Sequence, residues 1–496
     1  MRKLRNGNIW GLTRGSALIA TALWGASLAH AQTPEPPLVL PPKVAVPLPA
    51  PPPTPPTLTE AQAEQLRQMI ASAPSHGITL PAATRPGELA NGPELVYAAM
   101  NFARALHAGG LAEQDYLKDW GLRPPAFNPW QAFLDAVARD RLAAWIANLP
   151  PPYTGYDGLR RGLATYRAIE ANGGWPTLAA GGDLKPGASG ARVAALRKRL
   201  AAEDSGVAPG GGYDAVLVEA VRRAQRRYGL EPTGIVGPQT LTALNVPASE
   251  RVRQIVANME RWRWLPAELP TDRVQVNIAA AVLTVFRADS PILSMRAVTG
   301  RPGDNTPMLQ SQIHSVVLNP PWNVPSSIAT RELWPKEKAN PGYLKRNGYR
   351  VIEMPDGGKR LQQSSERSAL GKYKFDFDNR YGVYLHDTPS QATFDRYARL
   401  ESHGCVRLAR PADLAKLLFA GDATWTAEAI DRTVAAGKTT RARLAQSVSV
   451  YLLYWTAFAT GSGQMGFRGD PYGWDDALAV RLAAKARPAP IIVAKN

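Results

Sequence analysis

The segment Ser402-His403-Gly404-Cys405-Val406-Arg407 holds the only cysteine of the 496-residue chain, and a second histidine, His386, lies upstream in Leu385-His386-Asp387. A thiol is an effective nucleophile only as thiolate, and an imidazole that takes its proton both activates it and stays beside it as a cation. One sulfur with two histidines in reach therefore supplies the parts of a thiol nucleophile with its base, Cys405 with His386. Gly404 lets the backbone turn sharply, so that amide N–H groups around Cys405 can be aimed at an incoming carbonyl oxygen. A donor placed on a developing oxyanion contributes roughly 3 kcal/mol. The plainer reading, a small buried hydrophobe, fits poorly with histidine and glycine as neighbours.

Other chemistries find no parts. The six histidines are scattered, no HExxH or CxxC spacing exists, and one cysteine cannot build a structural zinc site, so neither a metal nor a cofactor is expected. There is no Gly-x-x-x-x-Gly-Lys phosphate loop. Gly461-Ser462-Gly463-Gln464-Met465-Gly466 fits a dinucleotide fingerprint by letter, but Asp470-Pro471 follows almost at once where that motif needs a helix, so it reads as a turn. Acyl transfer through a thioester remains.

The lone thiol is the more telling because the N-terminus reads as an export signal. Arg2, Lys3, Arg5 and Arg14 precede an apolar run from Ala17 to Ala26, and Ala29-His30-Ala31 supplies a small-x-small cleavage site. Residues 1–31 are read as a signal peptide, with periplasmic delivery expected. The apolar run falls short of the roughly 20 residues that span a bilayer. An uncleaved leader is the competing reading and the one route by which membrane association is expected. In an oxidising compartment cysteines are usually paired, which this one cannot be within the chain. The formal charge is +17, or +13 without the four basic residues of the leader. Export makes nucleic acid an improbable partner and an anionic envelope polymer a better one, with a merely solvated basic surface as the alternative because the charges are spread along the chain.

The elements that must position these residues fall into blocks. Residues 32–57 are dominated by proline and read as an extended tether. Residues 58–181 read as a helical scaffold, with Leu95, Ala98, Ala99, Phe102 and Leu106 at helical spacing and His76 and His107 as packing or surface histidines. Residues 182–247 show three short helical stripes, through Val193, Leu196 and Leu200, then Leu217, Val221, Ala224 and Tyr228, then Thr240, Leu241 and Leu244. Gly229, Gly234 and Gly237 supply turns between them where a positive φ is cheap. A linker helix occupies 248–270. From 271 to 485 β-branched runs predict strands at 274–278, 281–286, 313–318, 381–386 and 448–458. Within that domain, about 325–372 reads as a helix-and-loop cap insertion, either a substrate lid or a merely decorative surface insertion. Residues 486–496 are a tail. The fold class is α+β and multi-domain: a mostly β catalytic domain with a helical cap, a helical scaffold and a small three-helix module.

Two of these blocks resemble known families. Gly190, Val193 and Leu196, with Tyr213-Asp214, Ala220-Val221, Gly229-Leu230 and Thr233-Gly234-Ile235-Val236-Gly237 before Thr240, make the module similar to the type 1 peptidoglycan-binding domain, which implies affinity for wall glycan or stem peptide. A purely structural module is the alternative. His386 followed by Ser402-His403-Gly404-Cys405-x-Arg407 resembles the signature of the L,D-transpeptidases with the YkuD-type catalytic domain. Asn258–Trp264, Asn319–Pro325 and Tyr384–Pro389 further resemble its large Gram-negative periplasmic, YcbB-like members, a likeness running from about Leu95 to Leu482.

The resemblance implies a mechanism. Cys405 attacks the carbonyl of the third stem-peptide residue, meso-diaminopimelate, of a tetrapeptide donor and expels D-alanine; the side-chain amine of a diaminopimelate acceptor then takes the acyl group in a 3→3 crosslink. His386 is the implied base, oriented by the backbone carbonyl of Asp387. His403, Gly404 and Cys405 line the oxyanion pocket, and Tyr384, Trp322, Arg407 and Asp387 form substrate contacts. Acylation of Cys405 by carbapenems is implied as well. An L,D-carboxypeptidase or hydrolase using the same site, and a non-catalytic wall-binding protein, are the competing functions.

Overall fold

The computed structural model describes residues 53–485 apart from 82–83, 85–86, 88 and 209. The expected signal peptide, most of the proline-rich tether and the tail from 486 lie outside the described residues.

Alternation of apolar and polar residues builds the catalytic domain's strands. They are β1 (Arg273–Asn277), β2 (Val282–Arg287), β3 (Ser290–Gly300), β4 (Leu309–Leu318), β5 (Trp322–Asn323), β6 (Tyr349–Glu353) and β7 (Lys359–Gln363). They continue as β8 (Tyr373–Phe377), β9 (Leu385–His386), β10 (Leu400–Ser402), β11 (Val406–Leu408), β12 (Thr440–Leu453), β13 (Ala457–Ala459) and β14 (Met465–Phe467). Nine of them form one mixed sheet in the order β10-β3-β11-β9-β8-β4-β12-β1-β2, and β2 also pairs with β3, which closes the ladder on itself. Closure leaves few free edges. Val274, Val276, Leu283, Phe375, Leu385, Val406, Leu408, Val450 and Leu452 fill the core it encloses. Their neighbours in the strands necessarily face outward.

The cap holds helical turns at Ser326–Ile328, Ala329–Leu333 and Trp334–Ala339, the middle one widened to a π-type turn, and a short helix at Tyr343–Arg346. It is not helix and loop alone: β6 and β7 form a hairpin that β5 joins as a third strand. The small core of Val324, Ile328, Leu333, Leu344 and Leu361 belongs to the cap itself. Two strand expectations also need correction. Only Leu385–His386 of 381–386 is strand, because Gly382 at φ +65 turns the preceding chain. The run 448–458 breaks after Leu453, where Tyr454 and Thr456 turn toward Asp470 and Asn258. Residues 460–464 then close the β13–β14 hairpin.

The helices Ala191–Ala201, Ala215–Arg227 and Pro238–Leu244 make the expected three-helix module. Gly229 and Gly234 take positive φ, whereas Gly237 sits at φ −87 as an extended N-cap. The core of the module continues into Tyr156, Leu159 and Leu163 of the helix Thr154–Ala171 and into Met465 and Phe467 of the hairpin. A separate helical core spans Leu58 to Leu149, and both His76 and His107 serve packing there, against Tyr156 and Phe127. The helix Ala248–Trp262 runs between these bodies and buries Arg261, with Arg263 just beyond its end.

Candidate active site

β9 and β11 are short parallel neighbours with Val406 opposite Leu385 and Arg407 opposite His386. Leu385 and Val406 point into the core, so by the two-residue period of a strand Tyr384, His386, Cys405 and Arg407 share the outer face. The amide of Val406 donates to the carbonyl of Tyr384 at 3.1 Å, which fixes this register next to the sulfur.

Cys405 is half-buried. Burial raises its thiol above the ordinary value, opposed by hydrogen bonding from the backbone and hydroxyl of Tyr384 and by the charges of Lys374 and Arg407. Burial holds His386 neutral down to about 3, and Arg407 adds to that effect. Its Nδ1 donates to the carbonyl oxygen of Asp387 at 2.5 Å, the orienting contact that the sequence led us to expect. Desolvation thus works against both charges of the expected thiolate–imidazolium pair. The Tyr384 hydroxyl is pushed far up by burial and the adjacent sulfur, so it remains a proton donor.

The motif loop is held from within. Gly404 adopts φ +110, a value that favours glycine. Its amide donates to Ser402 Oγ at 3.2 Å, and Ser402 Oγ donates to the carbonyl of Cys405 at 2.5 Å. The Gly404 amide is thus already engaged and does not line an oxyanion pocket. The amides of His403 and Cys405 take no partner among the described residues. Thr306, fully buried, donates to the carbonyl of Gly404 and accepts from the amide of Gly300, both at 2.8 Å.

The His403 ring meets Glu332 Oε1 of the cap at 2.6 Å. Glu332 also pairs with Arg301 at 2.9 Å, and Arg301 and Arg331 both reach Asp304. The Asp387 carboxylate accepts from the backbone amides of Lys372 and Thr388, each at 2.7 Å, so it anchors the end of the cap and is not a free substrate contact. Arg407 is partly buried, its charge acts on the sulfur, and it forms no ion pair with a carboxylate among the described residues.

Sequence reasoning missed Lys374, Glu332, Arg301 and Thr306. Lys374 stands opposite His386 in the β8–β9 ladder, with Nζ 4.4 Å from the centre of the Tyr384 ring. The alternation of Tyr373, Phe375 and Phe377 with Lys374 and Asp376 could have revealed β8 and the outward lysine. Nothing local marks Glu332 or Thr306. No group of histidine, cysteine and carboxylate side chains able to hold a metal occurs among the described residues.

Comparison with known proteins places this geometry. Residues 271–425 match the L,D-transpeptidase catalytic domain, residues 189–244 the "Putative peptidoglycan binding domain" and residues 55–163 a "Scaffold domain". The chain therefore carries an L,D-transpeptidase catalytic domain and a peptidoglycan-binding domain within an α+β multi-domain fold. It is 32% identical over 258 residues to a "Putative L,D-transpeptidase" of Haemophilus influenzae, a match covering 48% of this chain and 52% of that protein. The chain thus spans about half the length of that relative. Solved structures include an L,D-transpeptidase from Mycobacterium smegmatis, at 15% identity over 37% of this chain and 58% of that one with a TM-score of 0.20. Another, from Xylanimonas cellulosilytica, matches at 16% identity over 55% of this chain and 99% of that one, with a TM-score of 0.18.

Proposed function

We propose that the chain is an exported, periplasmic peptidoglycan L,D-transpeptidase that forms 3→3 crosslinks through a thioester on Cys405. The reading is carried by one observation: a single half-buried thiol shares a sheet face with His386, Tyr384 and Arg407, inside a segment that matches the L,D-transpeptidase catalytic domain.

In the first step Sγ bonds to the carbonyl carbon of the third stem residue. Its proton passes to the neutral imidazole of His386, which hands it to the nitrogen of the departing D-alanine as the C–N bond breaks. Because both groups start neutral, the charge separation arises only as the C–S bond forms, and Arg407 and Lys374 offset the negative charge at that moment. The amides of Cys405 and His403 serve the oxyanion. In the second step the acceptor amine attacks the thioester, loses a proton to His386, and releases Cys405 as the thiol. Arg407, Tyr384 and Trp322 hold the donor stem, and Arg407 suits its carboxylate.

Incubating the full chain with tetrapeptide muropeptides and weighing the products by mass spectrometry tests this. Crosslinked dimers with loss of D-alanine are expected, absent in Cys405→Ala; trimmed tripeptides alone would instead make the enzyme a carboxypeptidase. Dimers formed by Cys405→Ala would remove the cysteine from the reaction altogether.

A further inference from the structure

Away from the motif loop, a cleft of about 400 Å³ opens between Gly229–Glu231 of the binding module and the Asp395–Leu400 segment of the catalytic domain. Arg296, Arg396, Arg399 and Arg468 line it, against Glu231, Asp395 and Asp470. Several of these charges are already engaged. Asp470 accepts from the Tyr454 hydroxyl and from the amides of Trp474 and Asp475. Arg396 pairs with Glu401 at 2.8 Å, and Asp395 lies 3.9 Å from Arg296. Arg399 and Arg468 differ. Arg399 donates to the carbonyls of Ala280, Ala281, Ala297, Arg396 and Tyr397, and Arg468 to those of Arg227 and Phe467. Neither forms an ion pair with a carboxylate among the described residues. Burial lowers both below the usual arginine range, as expected of cations held together without a counter-ion.

The surroundings suggest what supplies that counter-ion. Tyr397, 43% exposed, stands on the same cleft. A second groove, of about 310 Å³, shares Ala280 and Arg468 with it and is walled by Trp262, Phe286, Trp455 and Phe458. Both volumes suit a small organic ligand. Aromatic walls accept the apolar faces of a sugar or a short side chain, and guanidinium forks match a carboxylate with two parallel hydrogen bonds. The Arg399 carbonyl accepts from the amide of Thr299 at 2.9 Å, and the next three residues are β10, which runs straight into the Cys405 loop.

We propose that this cleft is a second substrate subsite, where the Nε and Nη2 of Arg468, which take no partner among the described residues, hold a carboxylate of a wall glycopeptide while its sugar or apolar side chain lies along the aromatic groove. Arg399, whose five N–H groups are all given to carbonyls, adds only its nearby positive charge. The proposal rests on the peptidoglycan reading above and extends it to a site removed from the sulfur. Its place at the meeting of the binding module with the catalytic domain lets one strand of wall be gripped by both.

The test uses the full chain in the Cys405→Ala background, with a disaccharide-tetrapeptide as probe, the same muropeptide amidated at its carboxylates, and inorganic phosphate as competitor. Arg468→Gln and Tyr397→Ala should each weaken binding of the free-acid muropeptide about tenfold, the loss of one charge-assisted or stacking contact, with Arg468→Lys intermediate. The same substitutions in the chain that keeps Cys405 should leave its acylation by imipenem unchanged, which reports an intact fold and reacting site. If Arg468→Gln fails that control, the exposed Tyr397→Ala carries the test. Unchanged muropeptide affinity with normal acylation would overturn the subsite. Equal binding of the amidated probe, with displacement by phosphate, would make it a site for phosphate-type anions and overturn the glycopeptide. Failure of the parent reading looks different: no crosslinked dimers from the wild-type chain, but muropeptide binding that still depends on Arg468.

Discussion

At the scale of the residue, Cys405 and His386 were legible because their side chains are chemically rare in this chain, and their shared face follows from strand periodicity. What spacing could not give is protonation, which depends on how much water the fold excludes. Burial raises the Cys405 thiol and keeps His386 neutral to about 3. A thiol reacts in proportion to its thiolate fraction. Alkylation of Cys405 by iodoacetamide should therefore keep rising with pH past about 8.5, the free thiol's range, and show no inflection between about pH 5 and 8, the range of an ordinary histidine. A plateau reached near neutrality would instead mean a preformed thiolate–imidazolium pair. Spacing also could not give which polar side chains are already engaged, the His403 ring with Glu332 and the Asp387 carboxylate with the Lys372 amide, because chain segments distant in sequence decide it.

Among the elements, strands with clean alternation such as β1 and β2 could be read in advance, and so could the three module helices. The cap hairpin β6–β7 could not. Tyr349–Glu353 alternates weakly and is largely exposed, so its strand character comes from pairing rather than from burial. The cap reaches the motif loop through Glu332, which accepts from His403 and Arg301. Those contacts depress the Glu332 carboxyl, His403 contributing most; the pairing is therefore complete above the usual carboxylate range and weakens as pH falls through the depressed value. Glu332→Gln removes the charge at nearly constant shape. Faster amide exchange across Ser326–Ala339 and a several-fold faster reaction of Cys405 with a bulky maleimide are expected, since a cap held by fewer contacts opens more often. Exchange and labelling identical to wild type would show that Glu332 does not set the position of the cap.

The whole molecule between residues 53 and 485 is tied together by the helix Ala248–Trp262 and the turn that follows it. Arg263, fully buried, pairs with Glu260 at 2.9 Å and donates to the carbonyl of His76 and to the Tyr156 hydroxyl, both outside the catalytic domain. Glu260 in turn accepts from the amide of Gly110 at 2.8 Å and from the Trp264 indole. On the other side of the same helix Arg261 pairs with Asp475 of the helix Trp474–Lys485 at 2.5 Å. A buried ion pair contributes little against an apolar replacement of both partners, but removing one partner leaves an uncompensated charge and costs about 3–5 kcal/mol. Glu260→Gln strands Arg263 and also weakens the acceptor of Gly110, so it should lower the stability of the full chain by that order. Because the pair joins the N-terminal helical core to the helix that the catalytic domain packs on, the loss should appear in every probe together. In urea, tryptophan fluorescence and far-ultraviolet circular dichroism should shift to lower midpoints in parallel, while the double variant Glu260→Met with Arg263→Met recovers much of the loss. A midpoint that moves in one probe alone would show that the helical region unfolds separately and that this node does not couple it to the reacting site.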